Sequence, residues 1–208
     1  MTRDEFSAGL GRDVSRETYD RLVVFSEMVA RWNKTINLVG SASLTDFWYR
    51  HILDSAQVVH FAPRRPQHWA DLGSGAGLPG LVVAAFLATE SPRTRVSLVE
   101  SDARKAVFLE QAAREMNLMV SVHKRRIETL DPLVADVISA RALASIDVLL
   151  GFAHRHLDIA GVAIYMKGAG CRGELNQAQS TWRFEADVHP SVTAKESAIV
   201  LIRNIRHV

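Results

Sequence analysis

The sequence predicts an α/β protein with a mostly parallel sheet and a helical cap at its N-terminus. Two observations predict this fold class. From His68 onward, apolar runs typical of strands alternate with helical patterns, whereas before about residue 65 apolar residues recur at helical spacing. A chain of 208 residues, 48% of them hydrophobic, suffices for one sizeable core and is short for two independent domains. We therefore predict a cap over residues 1–65 and a core over residues 66–208 that form one compact unit.

The predicted cap contains helices with apolar faces. In one of them Ser15 is a candidate N-cap, and the apolar side chains of Tyr19–Trp32 fall on one face. A second helix is predicted to begin at Ser43, because a hydroxyl residue followed by Asp46 three positions later is typical of a helix start. The prolines of Pro63–Pro66 end the cap, since proline interrupts helices.

Seven strands are predicted in the core. They are the apolar run that ends at Asp71, Val96–Glu100, Met119–Val122, Asp136–Ser139, Val162–Met166, Phe184–His189 and Ala198–Arg203. Helical patterns separate most of them, which indicates parallel pairing. No long helix separates the last two, so the last strand is predicted to be antiparallel.

The most informative stretch follows the first predicted strand. Gly73, Gly75 and Gly77 alternate directly after Asp71, and such a turn lets a ligand lie against bare main chain. Pro79 suits the first position of the helix that follows. A plain tight turn is the alternative, but three alternate glycines cost more backbone entropy than a plain turn requires. Strand, glycine loop and helix together predict a nucleotide-type pocket.

Three classes of ligand compete for such a loop. A phosphate loop is excluded because Leu81 and Val82 stand where a lysine and a hydroxyl are required. A dinucleotide fingerprint needs a small residue at the position of Leu78, and this bulky side chain obstructs the close helix approach that a pyrophosphate requires. Asp71 would repel a pyrophosphate and suits a ligand with an ammonium and a sulfonium, while Glu100 is placed to bind two ribose hydroxyls. These residues favour S-adenosylmethionine.

At this point the chain resembles a known family. The loop Asp71–Gly80 is similar to the first motif of the bacterial small-subunit ribosomal RNA guanine-N7 methyltransferases, the RsmG or GidB family. Further segments that resemble the family are Trp32–Leu38, Arg50–Ser55, Glu100–Leu109, Ser139–Ala142 and Lys167–Gly168. The resemblance implies the Rossmann-like fold of S-adenosylmethionine-dependent methyltransferases, with a seven-stranded sheet.

The resemblance also implies a reaction and a partner. It implies methyl transfer from S-adenosylmethionine to N7 of a single guanosine, guanine 527, in the 16S ribosomal RNA of the small subunit. Guanine N7 is a lone pair without a proton, so direct displacement needs no obligatory general base. In agreement, Ser139–Ala142 lacks the Asn/Asp-Pro-Pro-aromatic motif of many amino-group methyltransferases. The alternatives are a methyltransferase for another acceptor and a non-catalytic, methyltransferase-like RNA-binding module.

The candidate site residues lie where the predicted strands end, because ligands bind there in open parallel sheets. The cofactor-binding candidates are Asp71, Gly73, Gly75, Gly77, Leu78, Glu100, Ile127, Glu128 and Arg141, of which Ile127 and Glu128 are placed at the adenine end by the resemblance. The candidates for positioning the substrate in catalysis are Arg141, Lys167 and His51. His51 and Asp54 have the spacing of a dyad; the alternative is that His51 anchors its helix.

Composition sets further expectations. The formal charge is +2 and the isoelectric point about 8.9, which is compatible with RNA binding without requiring it. Lys124–Arg126 and Arg141 are the best candidates for contacts to RNA phosphates. A single cysteine, Cys171, allows no internal disulfide, and we find no leader, no apolar run that could span a bilayer and no metal motif. We expect a cytoplasmic monomer without a metal or a membrane partner.

Overall fold

The computed structural model describes the backbone of residues 1–208 and every side chain except that of Ser41. The helices are α1 (Arg3–Leu10), α2 (Arg16–Trp32), α3 (Ser41–Leu44), α4 (Asp54–Ala56), α5 (Gly80–Glu90), α6 (Ala103–Glu115), α7 (Ile146–His156) and α8 (Cys171–Ala178). The strands are β1 (His68–Leu72), β2 (Arg95–Val99), β3 (Ser121–His123), β4 (Ala135–Arg141), β5 (Leu157–Lys167), β6 (Trp182–Pro190) and β7 (Ala198–His207). A π-helical turn covers Trp48–Leu53, and 3₁₀ turns cover Gln57–Phe61 and Ile127–Thr129.

The seven strands form one sheet in the order β3-β2-β1-β4-β5-β7-β6. Every pair from β3 to β5 is parallel, and β7 is antiparallel to both of its neighbours. The predicted fold class, a mostly parallel sheet with an antiparallel last strand, is confirmed. The chain runs outward from β1 to β3 on one side and from β4 on the other, so the junction of β1 and β4 is the switch point where ligands bind in such sheets.

The N-terminal cap packs on the sheet through α5. One hydrophobic cluster contains Phe25 and Ile52 from the cap together with Trp69 of β1 and Phe86 of α5, all nearly or fully buried. Burial of these large side chains removes apolar surface from water, which is the main force that holds cap and core together. The division at residues 65 and 66 stays a prediction.

The local predictions for the cap have mixed outcomes. Ser15 is the N-cap of α2, as predicted, and its side chain accepts a hydrogen bond from the amide of Thr18. The predicted helix start at Ser43 is wrong, because α3 begins after Gly40 and ends at Leu44, before the π-helical turn. The hydroxyl of Ser43 instead donates to the Gly40 carbonyl at 2.7 Å.

Two boundaries in the core also differ from the predicted ones. Pro79 is predicted to be the first residue of the helix, but α5 begins one residue later, at Gly80, and Pro79 is its N-cap residue. Helix α8 was not predicted, because it lies in a glycine-rich stretch and glycine disfavours helices. Among the described residues, we find no helix that is both long enough and apolar enough to cross a bilayer.

Gly80 provides a test of how tightly α5 packs on β1 and β2. A Cβ at this position would lie 2.5 Å from Leu98 Cδ2 and 2.6 Å from Asp71 Oδ2, closer than van der Waals contact allows. We expect Gly80→Ala to lower the free energy of unfolding by about 1–3 kcal/mol, the usual cost of overpacking. Urea unfolding of the purified variant measures this change.

The matched control is Gly173→Ala in α8, where a Cβ would meet nothing within 4 Å. In a helix, alanine in place of glycine gains roughly 0.5–1 kcal/mol, so this variant should be as stable as the wild type or more stable. Equal unfolding free energies for Gly80→Ala and the wild type would contradict the packing described above.

Candidate functional site

A cavity of about 720 Å³ opens at the carboxyl ends of β1, β2 and β4. Its wall is built from the glycine loop, the end of β2, the 3₁₀ turn after β3, the segment after β4 and a loop of the cap. Eight of the predicted site residues line it, namely Gly73, Gly75, Leu78, Glu100, Ile127, Glu128, Arg141 and His51. Asp71, Gly77 and Lys167 lie outside the described wall. The structure therefore brings most of the predicted site together.

Asp71 lies beneath the glycine loop and is fully buried. Its Oδ2 accepts a hydrogen bond from the Gly80 amide at 3.2 Å, and its Oδ1 accepts one from the Ser139 hydroxyl at 2.7 Å. Ser139 in turn accepts a bond from the indole N–H of Trp69 at 2.9 Å. This geometry favours an indirect role, in which Asp71 shapes the loop from inside the fold; direct contact with a ligand stays a prediction.

Burial controls the charge of Asp71. Loss of hydration, together with the charge of nearby Glu100, raises the pKa of this carboxyl to about 6 against the hydrogen bonds from Ser139, Ser74 and Gly80, which lower it. The Gly80 amide belongs to the first turn of α5, where the helix dipole stabilises an anion. The carboxylate is therefore held in the core by donors that compensate for lost water.

The glycine loop and Glu100 form one unit at the cavity floor. Gly73 and Gly75 have φ of +65° and +54°, values that side-chain residues rarely adopt. The Gly75 amide donates to Glu100 Oε2 at 2.8 Å, and the Asp102 amide donates to Oε1 at 2.7 Å. Since a carboxylate has about four acceptor directions, each oxygen of Glu100 retains one for a ligand hydroxyl.

Apolar side chains form the rest of the wall near β2 and β4. Val99 and Ile127 are buried beside the 3₁₀ turn, and Leu143 and Phe152 are partly buried across from them. Glu128 is exposed at the rim. A flat, weakly polar group fits between such walls, while Glu100 offers acceptors at its edge.

Arg141, at the end of β4, is the most highly connected polar residue of the site. Its guanidinium donates to His51 Nδ1 at 3.0 Å and to the Arg50 carbonyl at 3.0 Å, and it lies 3.2 Å from Asp54 Oδ2. All three partners come from the π-helical turn of the cap or the residue after it. One core side chain thus fixes the cap over the cavity.

The contacts of His51 define its protonation state. An arginine can only donate, so His51 Nδ1 must be an unprotonated acceptor. The proton is then on Nε2, which donates to the Ser43 hydroxyl oxygen at 2.8 Å. That hydroxyl in turn donates a hydrogen bond to the Gly40 carbonyl. Burial, followed by the charges of Arg141 and Arg50, lowers the pKa of His51 to about 4. His51 is neutral at pH 7, and its basic nitrogen is occupied.

Asp54 does not form a hydrogen bond with His51 among the described contacts; both bind Arg141 instead. Besides Arg141, Asp54 Oδ1 accepts bonds from Thr193 at 2.6 Å, Gln57 at 2.8 Å and Ser191 at 3.1 Å. The loop between β6 and β7 therefore supports the carboxylate that holds Arg141. This arrangement fits the anchoring role of His51 better than a dyad.

Lys167 serves a neighbouring junction. Its ammonium lies 2.8 Å from Glu174 Oε2 and donates to the Ala144 carbonyl at 2.9 Å. Glu174 Oε2 also accepts a bond from the Ile146 amide at the start of α7. Lys167 thus holds the segment after β4, of which Ala144 lines the cavity, and it reaches the cavity only through that segment.

Sequence reasoning missed the contribution of the cap loop Leu38–Gly40 to the cavity wall. Asn33, the C-cap of α2, builds this loop: its side-chain oxygen accepts from the amides of Leu38 and Val39 at 2.8 and 2.9 Å, and its side-chain nitrogen donates to the Val39 carbonyl. An asparagine directly after a predicted helix was the available signal, because its side chain readily mimics a backbone turn.

Within the described part of the chain, no group of three or more His, Cys, Asp or Glu side chains could hold a metal ion.

Comparison with known proteins identifies close relatives. Residues 18–205 match the model of the GidB family, described as rRNA small subunit methyltransferase G. A protein named "Ribosomal RNA small subunit methyltransferase G" from Ruegeria sp. (strain TM1040) is 50% identical over 196 residues, covering 94% of this chain and 95% of the relative. A protein of the same name from Cereibacter sphaeroides (strain ATCC 17025) is 43% identical over the full length of both chains.

Solved structures with similar folds are more distant in sequence. A TehB-like SAM-dependent methyltransferase from Corynebacterium glutamicum gives a TM-score of 0.58 at 16% identity, covering 88% of this chain and 98% of that one. A mutant of MtNAS solved in complex with S-adenosylmethionine gives 0.57 at 21% identity, with coverage of 89% and 75%. These similarities show the fold alone, that of the Rossmann-like methyltransferases.

The hydrogen-bond pattern of His51 predicts its titration. We expect ¹⁵N NMR to show a neutral ring with the proton on Nε2 and a pKa lowered to about 4. In Arg141→Met the pKa of His51 should rise, because one nearby positive charge is lost. Arg125→Met is the control, since Arg125 lines the cavity without contributing to the pKa of His51.

The same shift has a consequence for stability. Because the pKa of folded His51 lies below its ordinary value of 6.5, this group favours unfolding increasingly as the pH falls from about 6.5 to about 4. Asp71 has the opposite effect on stability, since its raised pKa makes the folded state lose stability as the pH rises toward about 6.

A titration of His51 near pH 6.5 in the NMR experiment, or a proton on Nδ1, would contradict the assigned hydrogen bonds.

Proposed function

Because this chain belongs to the rRNA small subunit methyltransferase G family, we propose that it transfers a methyl group from S-adenosylmethionine to N7 of a single guanosine in 16S ribosomal RNA, guanine 527 by family resemblance. The observation that supports this proposal most strongly is the cavity at the β1–β4 switch point, where the glycine loop meets Glu100. The proposed partner is the small ribosomal subunit or its RNA, and the proposed setting is the cytoplasm, with the protein acting as a monomer.

The residues present fit S-adenosylmethionine. A volume of about 720 Å³ lies within the usual range for small-molecule sites. Glu100 retains acceptor directions for the ribose hydroxyls, and the apolar wall of Val99 and Ile127 suits an adenine ring. At Gly73 a Cβ would lie 2.5 Å from the Leu143 side chain of the cavity wall, and the φ of +65° disfavours any residue other than glycine. When bound, S-adenosylmethionine would supply a methyl group on a sulfonium; an unprotonated ring nitrogen can bond to that methyl carbon as the carbon–sulfur bond breaks and S-adenosylhomocysteine leaves as a neutral thioether.

The protein's own groups suit an acceptor that needs no deprotonation. His51 is neutral, and its Nδ1 is occupied by Arg141; Glu100 is bonded to two loop amides. Arg141 uses its guanidinium to hold the cap and keeps further N–H donors, which can orient a guanine or an adjacent phosphate. Catalysis in this proposal consists of alignment and electrostatic stabilisation, with His51 and Lys167 as positioning residues.

Two alternatives differ in what they require of the cavity. A methyltransferase for another acceptor would use the same donor site with a different partner. A non-catalytic RNA-binding module would have no need of the Glu100 contact or of the positive φ values in the loop, both of which are present. The second alternative is therefore less consistent with the structure.

Binding of S-adenosylhomocysteine, the reaction product, tests the donor site. We expect Glu100→Gln to weaken binding about tenfold to a hundredfold, because hydrogen bonds to a charged group contribute roughly 1.5–3 kcal/mol. Isothermal titration calorimetry measures the dissociation constant. The control is Glu110→Gln, an exposed residue of α6 outside the cavity wall, which should bind as the wild type does. An unchanged constant in Glu100→Gln would contradict the assignment of this carboxylate.

Methyl transfer from labelled S-adenosylmethionine to small subunits from cells that lack this activity tests the reaction. We expect one N7-methylguanosine, identified by mass spectrometry of the nucleosides, and its loss in Gly75→Asp, which places a second carboxylate beside Glu100. The control is Gly173→Asp, where open space surrounds the glycine. A parallel assay on naked 16S RNA identifies which form is the substrate. Product binding without labelling of either form would overturn the ribosomal assignment and leave the donor site intact.

A further inference from the structure

A second and larger cavity, of about 1300 Å³, lies along the β2–β3 side of the sheet. Its wall includes five cationic side chains, Arg21, Arg93, Arg95, Lys124 and Arg125, and one carboxylate, Asp131. We call this cavity the basic cleft. The cavity beside the glycine loop and Glu100 is called the donor cavity from here on. The basic cleft is separate from it except at one residue, Arg125, which lines both.

The cations of the basic cleft are not neutralised within the protein. None of the five forms an ion pair with any side chain that the structure describes, whereas Arg141, Lys167 and Arg12 each have a carboxylate partner elsewhere. Four of the five are exposed, and the half-buried Arg21 donates to the Thr89 hydroxyl at 3.0 Å. Like charges around a concave wall repel one another, and a bound polyanion removes that repulsion.

Two histidines in the wall respond to this positive field. His68 and His123 both direct Nε2 at the Ser97 hydroxyl, at 2.9 and 3.2 Å. Burial lowers the pKa of each, and the charges of Arg95 at His68 and Arg125 at His123 lower it further. The histidines are thus neutral at pH 7, and the arginines and lysine determine the charge of the cleft.

The basic cleft is long enough for several phosphates. Ser97 of β2 pairs with Ser121 of β3, Arg95 lies two residues before the former, and Lys124 lies three residues after the latter. Five steps at the rise of a strand separate the two cations by roughly 16 Å along the sheet. One end of this row reaches the rim of the donor cavity at Arg125. A nucleic acid strand that enters the donor cavity can therefore continue along the cleft.

We propose that the basic cleft binds the sugar–phosphate backbone of the RNA that presents the methylated base, at phosphates outside the donor cavity. This inference rests on the proposed function. Unpaired arginines and a lysine in a row suit a chain with a charge at every repeat, and contacts of this kind fix position without reading sequence. Arg93 and Arg95, at the end of the cleft remote from the donor cavity, should contribute to RNA affinity and leave donor binding unaffected.

The test compares two double charge reversals in the full-length protein. One is Arg93→Glu with Arg95→Glu. The matched control is Arg183→Glu with Arg206→Glu, two exposed arginines on β6 and β7 at the opposite edge of the sheet. Binding to unmodified small ribosomal subunits and to naked 16S ribosomal RNA is measured over a range of salt concentrations. Binding of S-adenosylhomocysteine is measured by calorimetry, and unfolding by heat.

We expect the cleft variant to lose about tenfold or more in RNA affinity and to reduce the slope of log K against log[salt] by about 1.4, since each lost contact to single-stranded RNA removes about 0.7. The control should change affinity by less than about threefold, because exposed charges beyond a Debye length are screened. Product affinity should be unchanged in both. Arg93→Gln with Arg95→Gln, which removes charge without reversing it, should show a smaller loss in the same direction.

Equal RNA affinity in the cleft and control variants, or no RNA binding by the wild type, would overturn the proposal; the first result is also expected if the cleft serves an acidic protein. RNA binding that depends on the cleft, without methyl transfer by the wild type, would overturn the proposed function and support the cleft. The two proposals therefore fail by different results.

Discussion

The site depends on one buried carboxylate. Asp71 binds the first amide of α5 and, through Ser139, the indole of Trp69, so that β1, β4 and the helix meet at a single side chain. Removal of this carboxyl from water raises its pKa to about 6 even though the hydrogen bonds around it favour the charged form. The glycine loop is the short connection that remains between strand and helix once their ends are fixed. Its shape, and hence the orientation of the Gly75 amide toward Glu100, follows from the contacts beneath it.

The opposite wall depends on Arg141. This side chain joins β4 to the π-helical turn of the cap, and Asp54 extends the connection to Ser191 and Thr193 of the last hairpin. Three segments that are remote in sequence therefore share one buried, charged junction. Breaking a partly buried ion pair leaves an uncompensated charge, so each partner constrains the position of the others. The geometry of the donor cavity is a property of the whole chain.

The sequence predicted the sheet and most of the cavity because both leave local signatures. Alternating strand and helix patterns, positive-φ glycines and an acid at the end of the second strand are all readable from short segments. What it missed depends on contacts distant in sequence. The residue type of Asp71 does not show that its carboxylate accepts hydrogen bonds from Ser139 and the Gly80 amide. The 2.8 Å contact between the Ser43 hydroxyl and His51, eight residues later, likewise has no signature in a short segment. The basic cleft combines residues from separate elements that look like ordinary surface charges one at a time.

The bond between Thr193 and Asp54 spans 139 residues of sequence. During synthesis at about 5–20 residues per second, roughly 7–28 s pass between the emergence of the two side chains. For that interval the sheet strands β1 to β5 and the glycine loop are available to fold, while Asp54 lacks the hydroxyl groups that orient it toward Arg141. The hydroxyl contacts to Asp54 thus become possible only after the β6–β7 loop has been made, and a nascent chain that still lacks its last fifteen residues lacks β7, the strand that pairs β6 with the sheet.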